Sequence, residues 1–179
     1  LVNYDGPDKE LPITAEYIET ITGIKDAKGK RTQWMKRVGQ AVFSVVGSGG
    51  HGYWSTLPSL PGFRQMVEHA QDLVGIENVY VCTAPVTDKT GGCESGKRQW
   101  IADNTPIPAS QVYVTEDKPG VLDDFPDEVC ILIDDRKKYC DAWRLGGGIS
   151  IRHMPPANMS TVQNTISQLN LIVNNSETE

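Results

Sequence analysis

The 179 residues, 39% hydrophobic and 22% charged, suffice for one domain with a real core, and no apolar run reaches the roughly 18 residues of a membrane span. A formal net charge of −6 argues against tracking along a long nucleic acid, which needs clustered cations, but leaves a single nucleotide as a ligand. No basic segment followed by an apolar stretch opens the sequence, and Cys82, Cys93, Cys130 and Cys140 show no C-x-x-C spacing. The expectation is a soluble cytoplasmic protein with reduced thiols, no membrane partner and no structural zinc.

Leu1 and Val2 run into Asn3, Tyr4, Asp5 and Gly6. Alone, these residues are turn chemistry at a frayed end. Residues 11–60 then carry a helix-like stretch (LPITAEYIETITGI), a basic helix around 34–45, and the glycine-rich VGSGGHGYW. The basic run 25–37 reads as a solvated loop and helix face. Glycines 47, 49, 50 and 52 lack the Gly-Lys-Ser/Thr of a phosphate loop and read as a flexible hinge.

From residue 62 the rhythm changes. Phe63, Met66, Val67, Ala70 and Val74 fall at helical spacing over 62–74, and helices are also predicted over 94–102, 136–145 and 160–171. Between them NVYVCTA (78–84), QVYVT (111–115), EVCILIDD (128–135) and GGISIRH (147–153) read as short strands. This alternation predicts an α/β fold: a Rossmann-like, mainly parallel sheet with helices on both faces and right-handed crossovers, with 1–6 as its first strand. Residues 1–10 and 61–179 then form the core, and 11–60 a small helical cap inserted after the first strand.

Ligands of such sheets sit at the carboxyl ends of the strands. There the sequence places Asn3-Tyr4-Asp5-Gly6, Thr83-Ala84-Pro85, Thr115-Glu116-Asp117-Lys118 and Asp134-Asp135-Arg136. Acids gathered on one edge repel unless a cation joins them, and Mg²⁺ uses a carboxylate or two plus water and phosphate oxygens. A phosphate-metal site follows, with Thr83 as a hydroxyl donor, Lys118 as counter-charge and Asp5 as a general acid. Each piece also has a plain structural reading: Thr-Ala-Pro is an ordinary strand exit and Asp-Asp-Arg an ordinary helix start.

NYDG, VCTAP, VTEDK and ILIDDR, followed by W-x-x-x-GG-x-x-I, together resemble the haloacid dehalogenase (HAD) superfamily of phosphohydrolases. The nearer likeness is to its 5′(3′)-deoxyribonucleotidase-like members, bacteriophage ones included, supported by WSTLPSLPGF, CESGKRQWI and DKPGVL. The resemblance implies an Mg²⁺-dependent phosphatase of (deoxy)nucleoside monophosphates that works through an aspartyl-phosphate. It puts Asn3 at the nucleophile's place and Asp5 at the acid/base. Thr83, the Ala84 backbone, Lys118 and Lys97 fall at phosphate-binding positions, and Asn3, Asp5, Asp134 and Asp135 around the metal. Trp54 and Tyr53 become candidates for stacking on the base, and a homodimer is compatible with the likeness.

Asn3 is the main departure, because a carboxamide neither attacks phosphorus as a carboxylate does nor brings its charge to a metal. Pro7 and Asp8 also depart from the pattern. Three explanations stand: an inactivating substitution in an otherwise competent site, a natural nucleotide-binding pseudoenzyme, or a first motif in another register. The first is preferred, since Asp5, Thr83, Lys118, Asp134 and Asp135 all remain. The alternative functions are a non-catalytic nucleotide-binding protein and a phosphatase of another small phosphate ester.

Overall fold

The computed structural model describes residues 48–86, 91–154 and 158–176. Asn3 and Asp5, the expected first strand and most of the expected cap lie outside the described residues. The elements in chain order are α1 (Gly50–Ser55), α2 (Phe63–Val74), β1 (Val81–Thr83), α3 (Gly92–Asn104), β2 (Val112–Val114), β3 (Ile131–Asp134), α4 (Lys137–Leu145), β4 (Ile149–Arg152) and α5 (Met159–Ser176), with 3₁₀ turns at Ile76–Asn78, Ala109–Gln111 and Pro119–Asp124. The fold is mixed α/β with small parallel sheets, and no helix among the described residues is long and apolar enough to cross a membrane.

Two βαβ units carry the strands. β1 pairs with β2 across α3, with Val81 opposite Val112 and Thr83 opposite Val114, and β3 pairs with β4 across α4, with Ile131 opposite Ile149 and Asp134 opposite Arg152. Both pairs are parallel, which the β-strand–helix–β-strand order requires of a crossover. Alternation along β1 and β2 sends Val81, Val112 and Val114 into a cluster with Ile101 and Trp100 of α3. The opposite face sends Cys82 and Tyr113 against Val121, Leu132, Tyr139 and Trp143. The second cluster thereby joins the two strand pairs through α4 and the turn at Pro119–Asp124.

One edge of each pair meets no strand among the described residues. Thr115 N–H donates to the Thr83 carbonyl, so the odd residues of β1 bond towards β2 and the Cys82 backbone faces away. In β3, Cys130 and Asp134 carbonyls accept from Ile149 and His153, which turns the backbone groups of Ile131 and Ile133 the other way. The Cys82 carbonyl is satisfied by a side chain, Lys118 Nζ at 2.7 Å.

The glycine-rich stretch is not a hinge where it is described. Gly50–Ser55 is a helix that lies against α3, and its backbone comes so close that a Cβ at Gly96 would sit 2.5 Å from the His51 carbonyl oxygen and 2.6 Å from Trp54 Cβ. A Cβ at Gly92 would be tighter still, against His51 N. The end of α1 is closed by Ser55 and Thr56 hydroxyls donating to the Gly52 carbonyl. Glycine's poor helix propensity is outweighed by tertiary packing, as it must be for a six-residue helix that would not persist alone. A second close approach stands at Gly62, whose φ of 76° starts α2 where a side chain would strike Val162 of α5.

Gly96→Ala should therefore destabilise by about 1–3 kcal/mol, since backbone and Trp54 must shift. Gly52→Ala, with no atom within 4 Å of the added methyl, should stabilise by roughly 0.5–1 kcal/mol. Urea denaturation of the two variants checks both signs, and equal midpoints contradict the packing described.

Candidate functional site

Lys118 is held by the turn that follows β2. Thr115 Oγ1 accepts from Asp117 N–H, Asp117 Oδ1 accepts from Gly120 N–H, and Pro119 opens the 3₁₀ turn whose Val121 N–H bonds the Lys118 carbonyl. The lysine is 5% exposed. Its ammonium donates to the Cys82 carbonyl and to Asp134 Oδ2 at 2.5 Å, and stands 4.8 Å from the centre of the Tyr139 ring.

Asp134 ends β3 and is fixed on every side. Oδ1 accepts from Arg136 N–H at 2.7 Å, Oδ2 pairs with Lys118, and the backbone carbonyl accepts from His153 N–H and the Cys140 thiol. Asp135, one residue on, is exposed, and no described residue bonds its carboxylate. Two adjacent acids with the same chemistry thus take different roles: one is a buried anchor, the other reaches solvent.

Lys97 rises from the second turn of α3. Its ammonium donates to Thr83 Oγ1 at 3.2 Å and to the Ala84 carbonyl, and it lies 4.8 Å from the centre of the Trp54 ring. Burial lowers its pKa, the neighbouring Cys93 opposes that, and the charge of Lys118 lowers it further. The two lysines are therefore close enough to repel. Each has three N–H donors and spends two on the bonds above, so one donor on each remains. Thr83 accepts from Lys97, which leaves its own proton to donate. Among the described residues this leaves three unspent donors and two positive charges at one strand edge, groups of the kind that suit a tetrahedral oxyanion.

The surroundings of Cys82 disfavour its thiolate. Burial raises its thiol pKa, Lys118 only partly offsets that, and Asp134 raises it again.

Beside Thr83 and Lys97 opens a cavity of about 260 Å³ walled by Trp54, Leu60, Phe63 and Trp100. Trp100 is locked by its indole N–H on the Leu57 carbonyl and by the tilted Phe63 ring 5.2 Å away. Of the two candidate stacking residues, Trp54 lines the cavity and Tyr53 packs edge-on behind it at 5.2 Å. Trp54 Nε1 is buried with no acceptor among the described residues. A polar recess of about 210 Å³ near Arg64, Glu68 and Asp103 lies by the carboxyl end of α3 and shares none of these groups.

The structure thus brings Thr83, Ala84, Lys97, Lys118, Asp134 and Trp54 together, with Asp135 at the rim. Among the described residues no group of three His, Cys, Asp or Glu side chains could hold a metal. Asp134 has both carboxylate oxygens engaged, by Lys118 and by the Arg136 N–H, so of the two expected metal ligands Asp135 is the one whose carboxylate is open to an ion such as Mg²⁺, which takes one or two carboxylates with water and phosphate oxygens making up the rest. Sequence reasoning missed Tyr139, Phe63 and Trp100. Trp100 could have been found, since it follows Lys97 by three residues and so shares its helix face.

No family model, curated protein or solved structure matches this chain.

Lys118→Met should cost about 3–5 kcal/mol, because it leaves Asp134 buried without its counter-charge. Arg64→Gln, which removes the exposed pair with Glu68, should change stability little. Chemical denaturation compares the two, and equal small losses contradict the buried pairing.

Proposed function

We propose that the protein binds a phosphate monoester of a small, flat molecule at the edge formed by Thr83, Lys97 and Lys118, and that the site is built for hydrolysing it. The observation that carries this reading is the convergence of three donors, unspent among the described residues, and two repelling lysines in a chain whose net charge is −6. Dianionic phosphate relieves that repulsion. The aromatic cavity opening from the same two residues, Thr83 and Lys97, suits the apolar part of the ester, and a nucleobase is the flat group the sequence likeness suggests. Both strand pairs are, on this reading, parts of one Rossmann-like parallel sheet, with the Lys118 bridge at its seam.

Roles follow from the contacts. Thr83 O–H and Lys97 orient the phosphate and take up its negative charge. Lys118, held by its contact with Asp134, offsets the charge that builds on the phosphate oxygens as the ester bond breaks. Asp135 is the residue open to hold Mg²⁺, which when bound supplies further neutralisation of those oxygens. The HAD-type assignment adds a carboxylate that attacks phosphorus and displaces the alcohol, and an acid that protonates the departing oxygen. By sequence likeness these fall at residues 3 and 5, outside the described residues, and Asn3 would disable the first. A nucleotide-binding protein without turnover uses the same receptor and is the second reading, favoured by Asn3.

Phosphate release from deoxynucleoside monophosphates with Mg²⁺, measured for the chain and for Asn3→Asp, separates these readings. Turnover in Asn3→Asp that needs Mg²⁺ and falls about 10²–10³-fold with Lys97→Met supports hydrolysis. Silence in both with phosphate bound supports the binding protein; silence with no phosphate bound contradicts both. A pH series adds a second check. Lys97 is charged below its lowered pKa, so phosphate affinity should fall as pH rises through that value, before an ordinary lysine would titrate. Lys97→Arg should abolish that alkaline fall, because a guanidinium stays charged.

A further inference from the structure

The described lysines and arginines sort into two sets. Arg64, Arg98, Lys118, Lys137 and Arg144 are each paired with a carboxylate. Lys97, Arg136, Lys138 and Arg152 are paired with none among the described residues, and all four lie at the carboxyl edge of the strands. Lys97 belongs to the phosphate receptor; the other three are not used by it.

Arg136 and Lys138 are placed against ordinary helix electrostatics. They flank Lys137 at the start of α4, where the helix dipole favours acids, and no acid stands in that first turn. Lys137 is compensated by Asp141 on the next turn. Arg136 and Lys138 instead lie against the ring of Tyr139, at 5.3 and 4.4 Å from its centre, and Lys118 lies against the same ring at 4.8 Å. Tyr139 is 7% exposed and so is a fixed platform. Arg152, opposite Asp134 at the end of β4, donates from Nε to the Asp135 carbonyl. An exposed cation is commonly only a solubilising group. Among the described residues, the cations without a carboxylate gather at one edge, two of them on a ring that also touches the phosphate-site lysine, and such a set calls for an anion.

We infer that Arg136 and Lys138 form a second anion subsite, and that the ligand is a phosphate monoester carrying a second phosphate. This inference rests on the phosphate-receptor reading above. The Tyr139 ring links the two subsites: Lys118 faces the ester phosphate and the neighbouring cations face the remote one. The remote phosphate is bound and not cleaved, since Thr83 and Lys97 belong to the receptor of the ester phosphate. Arg152 flanks the subsite and adds charge at its rim.

The probe pair is a deoxynucleoside 5′-monophosphate and the matching 3′,5′-bisphosphate, titrated by calorimetry into the chain and into Arg136→Gln/Lys138→Gln. The backbone N–H of Arg136 that holds Asp134 survives this change. The expected result is at least tenfold tighter binding of the bisphosphate by the unaltered chain. The double variant should lose that preference while keeping its monophosphate affinity, and the preference should shrink with added salt. Equal affinity for both probes, or a preference that survives in the double variant, overturns the second subsite and leaves the phosphate receptor standing. No binding of either probe overturns the receptor reading, and this inference with it.

Discussion

The buried contact between Lys118 and Asp134 is the constraint on which the rest of the site depends. A lysine 5% exposed is tolerated only if its charge and donors are answered, and the partners come from two different βαβ units: a carbonyl of β1 and a carboxylate of β3. That single side chain therefore ties the ends of two strand pairs into one edge. Tyr139 beneath it and the Thr115–Gly120 turn behind it leave the ammonium little freedom, so the donor it does not spend internally points from a fixed place. Preorganisation of this kind is what makes a charged group useful against a developing anion.

The electrostatics of the edge follow from the same contact. Once Asp134 is committed to Lys118, Lys97 has no carboxylate of its own among the described residues, and burial together with Lys118 pushes its pKa down. The Thr83 hydroxyl and Ala84 carbonyl orient it without cancelling its charge. Arg136 and Lys138 extend the positive region along α4. Among the described residues, cations without a carboxylate thus gather at one strand edge, while the exposed helical cations elsewhere are matched by acids three or four residues away.

Much of this was legible from the residues. The helix over Phe63–Val74 and the strands around Val81–Thr83 and Ile131–Asp134 follow from apolar spacing, and their ends are shorter than the apolar runs because the ladders close before the runs do. Thr83 and Lys118 follow from the strand-end positions and Lys97 only from the family likeness; in the structure Lys97 bonds Thr83 and Lys118 bonds the Cys82 carbonyl next to it. The Gly50–Ser55 helix could not be foreseen, since its stability comes from Gly92 and Gly96, some forty residues later, which leave room for its backbone. Nor could the sequence separate Asp134 from Asp135: the same side chain at adjacent positions is buried or exposed according to which face of the strand end it occupies. Tyr139 lies in the helix predicted over 136–145 with nothing in the sequence to single it out, and only the fold shows three cations on its ring.

Tungstate, a tetrahedral dianion with strong anomalous scattering, gives the most direct view of the central claim. A crystal of the protein soaked in it should show an anomalous peak within hydrogen-bond distance of Thr83 Oγ1 and the Lys97 and Lys118 ammonium groups. A crystal in which that edge stays empty while tungstate settles elsewhere on the molecule would contradict the account.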